Sequence, residues 1–119
     1  PSFKNLCKQI QDEFYEITKD PSKIIDSMWV NISSYRHHNT IHSHNVDTYP
    51  YKKYSGVMYL KVPKDSGRLV IVNPLNLNYQ MPITPKEGQV IFFPSVVPHF
   101  VEINNSQEDR ISIAFNFTE

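Results

Sequence analysis

Apolar residues near the start of the chain recur at the spacing of an α-helix. They are Phe3, Leu6, Cys7, Ile10, Phe14 and Ile17, and polar residues fill most of the positions between them. A period of 3.6 residues brings such positions onto one face of a helix. The pattern predicts one amphipathic helix over about residues 3–19, which ends near Asp20-Pro21 and covers a core.

After Pro21 the pattern changes to short β-rich runs separated by Pro, Gly, Asn and Asp. Such runs are typical of an all-β sandwich or barrel. The predicted strands are Met28–Ser34, Thr40–Val46, Gly56–Val62, Arg68–Val72, Gln89–Phe93, His99–Ile103 and Arg110–Phe117. We therefore expect a mainly β fold, with one amino-terminal helix packed on a roll of about seven or eight strands over residues 27–118.

The last predicted strand alternates strictly between polar or small residues and large apolar ones. Its two faces are Arg110, Ser112, Ala114 and Asn116 on one side and Ile111, Ile113, Phe115 and Phe117 on the other. We expect both faces to be covered. The planar guanidinium of Arg110, together with the hydroxyl of Ser112, is suited to binding a carboxylate. The alternative is an edge arginine paired with Glu108 or Asp109.

Three histidines are candidate metal ligands. His42 and His44 alternate on a predicted strand and therefore share a face. They are either two ligands of one metal or a pair of surface or hydrogen-bonded histidines. His99 begins a new strand after Pro98, where it is a structural residue or the third ligand. His37 and His38 lie in a polar loop and are expected to be solvated.

The segment from His99 to Arg110 resembles a hairpin. A turn centred near Ser106 would place Arg110 opposite Ile103, four residues from His99. At about 3.3 Å per strand residue, the two backbones would lie about 13 Å apart. That separation suits a five-carbon diacid that binds a metal at one end and a guanidinium at the other.

Composition narrows the class of protein. The 119 residues suit a single domain, and 12 basic and 12 acidic side chains cancel without forming a basic stripe. We therefore expect neither nucleic acid nor membrane as a partner. Cys7 is the only cysteine, so no intramolecular disulfide can form. Together with the lack of a long apolar run, this predicts a cytoplasmic protein.

With these residues assembled, the chain resembles the iron(II)- and 2-oxoglutarate-dependent oxygenases, and among them bacterial and phage proteins related to prolyl hydroxylases. The resemblance runs from about Ser27 to Phe117. Its carriers are Ser27-Met28-Trp29-Val30-Asn31, Asn39-Thr40-Ile41-His42-Ser43-His44, Ser55-Gly56-Val57-Met58-Tyr59-Leu60, Asn73-Pro74, Phe92-Phe93-Pro94-Ser95 with His99, and Arg110-Ile111-Ser112-Ile113-Ala114-Phe115-Asn116.

The resemblance implies a double-stranded β-helix that binds Fe(II) and uses 2-oxoglutarate as cosubstrate to hydroxylate a small molecule or peptide. His42 and His99 match the family's two histidine ligands, and Arg110 and Ser112 match the groups that hold the cosubstrate. Tyr59 resembles a further cosubstrate contact or is a buried structural tyrosine. Members of the group carry more residues before the shared roll.

The sequence departs from the family at the carboxylate ligand, where His44 stands. Either His44 replaces the carboxylate, which gives the metal set His42, His44 and His99, or Asp47 bends back to supply it. The alternative function is a cupin, a metal-binding roll that acts as an isomerase, a lyase or a small-ligand sensor. A cupin leaves Arg110 and Ser112 unexplained. The sequence leaves the substrate open, and it leaves open whether the chain forms a homodimer.

Overall fold

The computed structural model describes residues 3–20, 24–42 and 54–118 of the chain. Within these ranges, helix α1 is followed by strands β1 to β8. Their bounds are α1 Phe3–Thr18, β1 Ile24–Ser33, β2 Asn39–His42, β3 Tyr54–Lys61, β4 Leu69–Val72, β5 Gln80–Ile83, β6 Val90–Pro94, β7 His99–Val101 and β8 Arg110–Thr118. In the described part of the chain, no helix is long and apolar enough to span a membrane.

The strands form two antiparallel sheets of four strands each. The first sheet has the order β1-β8-β3-β6 and the second has the order β2-β7-β4-β5. The strands β1 to β4 belong alternately to the first and the second sheet. In each sheet, strands from β1 to β4 alternate with strands from β5 to β8. This topology is the double-stranded β-helix, or jelly roll, and it confirms the predicted fold class.

Helix α1 covers the outer face of the first sheet. Ile10 and Phe14 are buried against Phe115 and Phe117 of β8, and the Phe14 ring stacks on Phe117 with ring centroids 4.2 Å apart. Ile17 is 70% exposed, so the apolar stripe of the helix ends at Phe14 and does not extend to the last predicted position. The opposite face of β8 is therefore the one that points into the roll.

The predicted hairpin between the last two strands is wrong. β7 belongs to the second sheet, where it pairs with β2 and β4, whereas β8 belongs to the first sheet and pairs with β1 and β3. The segment between them crosses from one sheet to the other. The distance estimated from a hairpin register therefore does not apply, and Arg110 and His99 face each other from opposite walls of the roll.

The strand predictions agree with the structure apart from one omission and small differences at the ends. Strand β5, Gln80–Ile83, was not predicted, since Pro82 is unusual within a strand. The first three residues of β5 are exposed. It is an edge strand that pairs only with β4 among the described strands, a position where proline is tolerated. The predicted strand Thr40–Val46 is described only as far as His42.

Candidate functional site: a cavity between the two sheets

A cavity of about 260 Å³ lies between the sheets. Its walls come from β1, β3, β6 and β8 of the first sheet, from β4 and β7 of the second sheet, and from His37. The lining residues include Trp29, Asn31, Ser33, His37, Tyr59, Leu69, Phe93, His99, Val101, Arg110, Ser112 and Ala114. Four of the six predicted site residues, Tyr59, His99, Arg110 and Ser112, thus line one cavity.

His99 lies at the start of β7 and is buried, with 5% of its surface exposed. Its Nδ1 is 3.0 Å from the carbonyl oxygen of Val97. Because a carbonyl can only accept, this bond places the proton of the neutral ring on Nδ1 and the lone pair on Nε2. Metal-binding histidines commonly have their second nitrogen fixed in this way. The Phe93 ring packs beside the imidazole at a centroid distance of 4.7 Å.

His42 lies directly opposite His99 in the antiparallel pairing of β2 with β7. Residues paired in this way share one face of a sheet. His44 and the alternative ligand Asp47 lie outside the described residues, as does the side chain of His42. Among the groups that are described, no cluster of three histidine, cysteine or acidic residues could hold a metal ion. The pairing of His42 with His99 and the hydrogen bond at His99 Nδ1 suit a metal bound by imidazoles. The full set of three ligands stays a prediction.

Arg110, the first residue of β8, is 6% exposed. Its Nη1 donates to the carbonyl oxygen of Ser66 and, at 3.4 Å, to that of Gly67. Among the described residues, no carboxylate forms an ion pair with Arg110, and Glu108 pairs instead with Lys61 at 3.5 Å. A buried cation without a carboxylate is costly unless an anion approaches it. The arginine is therefore chemically suited to bind an anion at this end of the cavity.

Gly67 allows the loop before β4 to approach the guanidinium. Its φ of +98° lies in the region that favours glycine. A Cβ added there would come within 2.4 Å of the Glu102 carbonyl oxygen and 3.0 Å of Arg110 Nη1. Residue 67 is thus restricted to glycine both by its backbone conformation and by space.

Tyr59 and Ser112 lie beside Arg110 on the same wall of the cavity. They are register partners on β3 and β8, and both are buried. Burial raises the pKa of the Tyr59 phenol to about 12, and the charge of Arg110 opposes this shift. Burial also lowers the pKa of Arg110, an effect that Tyr59 opposes. At neutral pH the phenol is protonated and the guanidinium is charged, so both can donate hydrogen bonds to an anion.

Several residues that shape the site were given no role in the site from the sequence. Trp29, Asn31 and Ser33, alternate residues of β1, line the cavity. Asn104 is fully buried, and its amide connects β1 to the segment before β8. His37 is exposed, as expected of a solvated loop, but it also borders the cavity. The alternation of Trp29, Asn31 and Ser33 was visible in the sequence. The contacts of Asn104 depend on tertiary structure.

Comparison with known proteins identifies the family. The model of a family described as "Putative 2OG-Fe(II) oxygenase" matches residues 27–116, and the chain belongs to this family. The family takes its name from Fe(II) and 2-oxoglutarate, abbreviated 2OG. No curated protein sequence matches the chain.

Solved structures with similar folds include oxygenases and a cupin. A 2OG-Fe(II) oxygenase family oxidoreductase from Burkholderia pseudomallei has a TM-score of 0.77 and 17% identity, over 91% of this chain and 51% of that one. The viral collagen prolyl hydroxylase of Paramecium bursaria Chlorella virus-1 has a TM-score of 0.66 and 18% identity, over 94% and 66%. A cupin domain from Bordetella pertussis has a TM-score of 0.52 and 14% identity, over 82% and 92%.

These likenesses concern the fold alone, because the identities are low. The chain spans about half the length of the Burkholderia protein that it matches. What the chain does with its cavity must therefore be argued from its own residues.

Proposed function

We propose that the chain is an Fe(II)- and 2-oxoglutarate-dependent dioxygenase that hydroxylates a small molecule or a peptide. The observation that carries the proposal is the cavity shared by His99 and Arg110. On opposing walls of a space suited to a short diacid lie a histidine with its lone pair on Nε2 and a buried arginine that, among the described residues, has no carboxylate partner. A cupin explains the histidine but gives no reason for the buried arginine.

At the metal end, we propose His42, His44 and His99 as the ligands. The pairing of His42 with His99 and the hydrogen bond from Nδ1 of His99 to Val97 support two of the three. Three neutral imidazoles would leave the site more positive than two imidazoles and a carboxylate, which favours anionic chelators. Asp47 is the alternative to His44.

At the other end, we propose that Arg110, Ser112 and Tyr59 bind the distal carboxylate of 2-oxoglutarate. All three carry hydrogen-bond donors, are buried and line the cavity. Their task is to orient the diacid and to replace the water that would otherwise solvate it. The apolar side chains Leu69, Val101 and Ala114 complete the walls and limit the access of water.

Iron bound at the histidines would supply the reduction of dioxygen that is coupled to oxidative decarboxylation of the cosubstrate. The overall balance is that 2-oxoglutarate, dioxygen and a substrate C–H bond give succinate, carbon dioxide and the corresponding alcohol. Succinate and the alcohol each receive one oxygen atom of the dioxygen. The residues of this chain bind and orient the reactants.

Succinate release tests the proposal. The protein is supplied with Fe(II), ascorbate and 2-oxoglutarate in air, and succinate is measured against a His99→Ala variant treated identically. We expect slow release without substrate from the native protein and none above background from the variant. Equal release from both, or none from the native protein at any iron concentration, would contradict the proposed reaction.

A further inference from the structure

Beside the proposed anion receptor, Ser33 carries a buried hydroxyl that has no hydrogen-bond partner among the described residues. It is the last residue of β1, lies directly opposite Arg110 on β8, and is 4% exposed. Among the described residues, its Oγ is one of two buried side-chain polar atoms without a hydrogen bond; the other is Ser66 Oγ. Of these two serines, only Ser33 lines the cavity.

A buried hydroxyl without a partner lowers stability, and native proteins seldom retain one without a reason. The hydroxyl can rotate, so it can donate to an acceptor that comes within hydrogen-bond distance. The neighbouring Arg110 favours an anionic acceptor, because a buried guanidinium attracts anions. The position of Ser33 therefore indicates an anionic hydrogen-bond acceptor.

Asn104 holds Ser33 in this position. Its Nδ2 donates to the carbonyl oxygen of Ser33 at 2.8 Å and to that of Glu108 at 3.1 Å. One buried side chain thus fixes the backbone of Ser33 and the backbone two residues before Arg110. The hydroxyl and the guanidinium are consequently held together before a ligand binds, which reduces the entropy lost on binding.

We infer that Ser33 Oγ donates a hydrogen bond to the distal carboxylate of the cosubstrate, as a further binding residue contributed by β1. This inference rests on the proposed function. The carboxylate then receives donors from three strands: Ser33 on β1, Tyr59 on β3, and Arg110 with Ser112 on β8. Such a receptor discriminates against keto acids without a distal carboxylate, because they leave the buried donors unpaired.

The test measures binding of two keto acids to protein loaded with Mn(II), which replaces iron without turnover. 2-Oxoglutarate carries the distal carboxylate and 2-oxobutyrate lacks it. Calorimetric titration compares the native protein with Ser33→Ala and with the control Ser34→Ala, in which the same change is made at an exposed neighbour. A charge-assisted hydrogen bond predicts that Ser33→Ala weakens 2-oxoglutarate binding about 10- to 100-fold and 2-oxobutyrate binding less than about 3-fold.

The stability of the ligand-free protein gives a second readout. If Ser33 serves the ligand, Ser33→Ala removes an unpaired buried group, and the melting temperature of the free protein should stay the same or rise. Ser33→Thr, which keeps the hydroxyl, should bind 2-oxoglutarate more tightly than Ser33→Ala. A structural role would instead lower the melting temperature and change the two keto acid affinities equally.

The outcomes separate the inference from the proposed function. If the native protein binds 2-oxoglutarate and Ser33→Ala binds it equally well, the inference is overturned and the proposed function stands. Equal losses for both keto acids would also overturn it. If the native protein binds no 2-oxoglutarate, the proposed function and the inference fail together. Should Ser33→Ala not fold, Ser33→Cys, which has nearly the same shape and a weaker donor, should show the same selective loss.

Discussion

His42 and His99 lie directly opposite each other on the paired strands β2 and β7. Positions paired in this way have Cβ atoms about 4.5–5.5 Å apart, so two imidazoles can reach one ion at about 2.0–2.1 Å. The two histidines are separated by more than fifty residues in the sequence. The proposed metal end of the cavity therefore depends on the register of two strands from distant parts of the chain.

Removing either histidine should remove the metal. We expect His99→Ala and His42→Ala to retain less than about a tenth of the bound iron, because each variant lacks one of the three proposed protein ligands. Iron content is measured after anaerobic loading and gel filtration. His38→Ala, an exposed histidine that does not line the cavity, is the control and should bind iron normally. Full iron binding by His99→Ala would refute the proposed metal end.

The identity of the third ligand is tested by His44→Asp and Asp47→Ala. If His44 occupies the carboxylate position, His44→Asp restores a site with two histidines and one carboxylate. Iron should still bind, and uncoupled decarboxylation of 2-oxoglutarate should persist or increase. Asp47→Ala should then have little effect. Loss of iron in Asp47→Ala alone would show that Asp47, and not His44, is the ligand.

Arg110→Ala should weaken 2-oxoglutarate binding about 10- to 100-fold, because a charge-assisted contact is lost. Iron affinity should be unchanged. The variant also leaves the Ser66 carbonyl without its donor, so a loss of about 1–3 kcal/mol in the free energy of unfolding is expected. Binding is measured by calorimetry well below the melting temperature. An unchanged affinity for the diacid would favour the cupin alternative.

Gly67→Ala should be more destabilising than Gly88→Ala. Both glycines have positive φ, +98° and +82°, so both substitutions impose backbone strain of about 1 kcal/mol. Only at Gly67 would the new Cβ meet backbone oxygens and Arg110, since nothing lies within 4 Å at Gly88. Urea unfolding should show an additional cost of at least about 1 kcal/mol for Gly67→Ala. Equal costs would mean that residue 67 does not approach Arg110 closely.

Tyr59 should titrate far above an ordinary tyrosine, since burial raises its pKa to about 12 from the usual value near 10. Subtracting the ultraviolet pH titration of Tyr59→Phe from that of the native protein isolates this phenol. The raised pKa of Tyr59 also makes the free energy of unfolding depend on pH. Because the unfolded chain loses this proton first, the contribution of Tyr59 is fully present below pH 10 and is lost as the pH rises towards 12. A difference titration centred near pH 10 would contradict the buried position.

Features set by local periodicity were predictable from the sequence. Alternation along β8 predicted that Arg110 and Ser112 share a covered face, because a strand has a period of two residues. The apolar spacing of α1 predicted its buried face as far as Phe14 for the corresponding reason. His99 was correctly expected to begin a strand.

Features set by tertiary contacts were not predictable. The stretch after β7 resembles a hairpin turn, yet Asn104 binds the carbonyls of Ser33 and Glu108 and directs the chain from one sheet to the other. No local pattern reports such a bond. The role of Gly67 also depends on the close approach of Arg110, a residue more than forty positions away.

We propose that one molecule of 2-oxoglutarate spans the cavity from the histidines to Arg110. Anaerobic titration of the Fe(II)-loaded protein with 2-oxoglutarate, followed by visible absorption, tests it most directly. We expect a metal-to-ligand charge-transfer band in the native protein. In Arg110→Ala the band should appear at about 10- to 100-fold higher 2-oxoglutarate, and in His99→Ala it should be absent. No band in the native protein, or the same midpoint in Arg110→Ala, would contradict the claim.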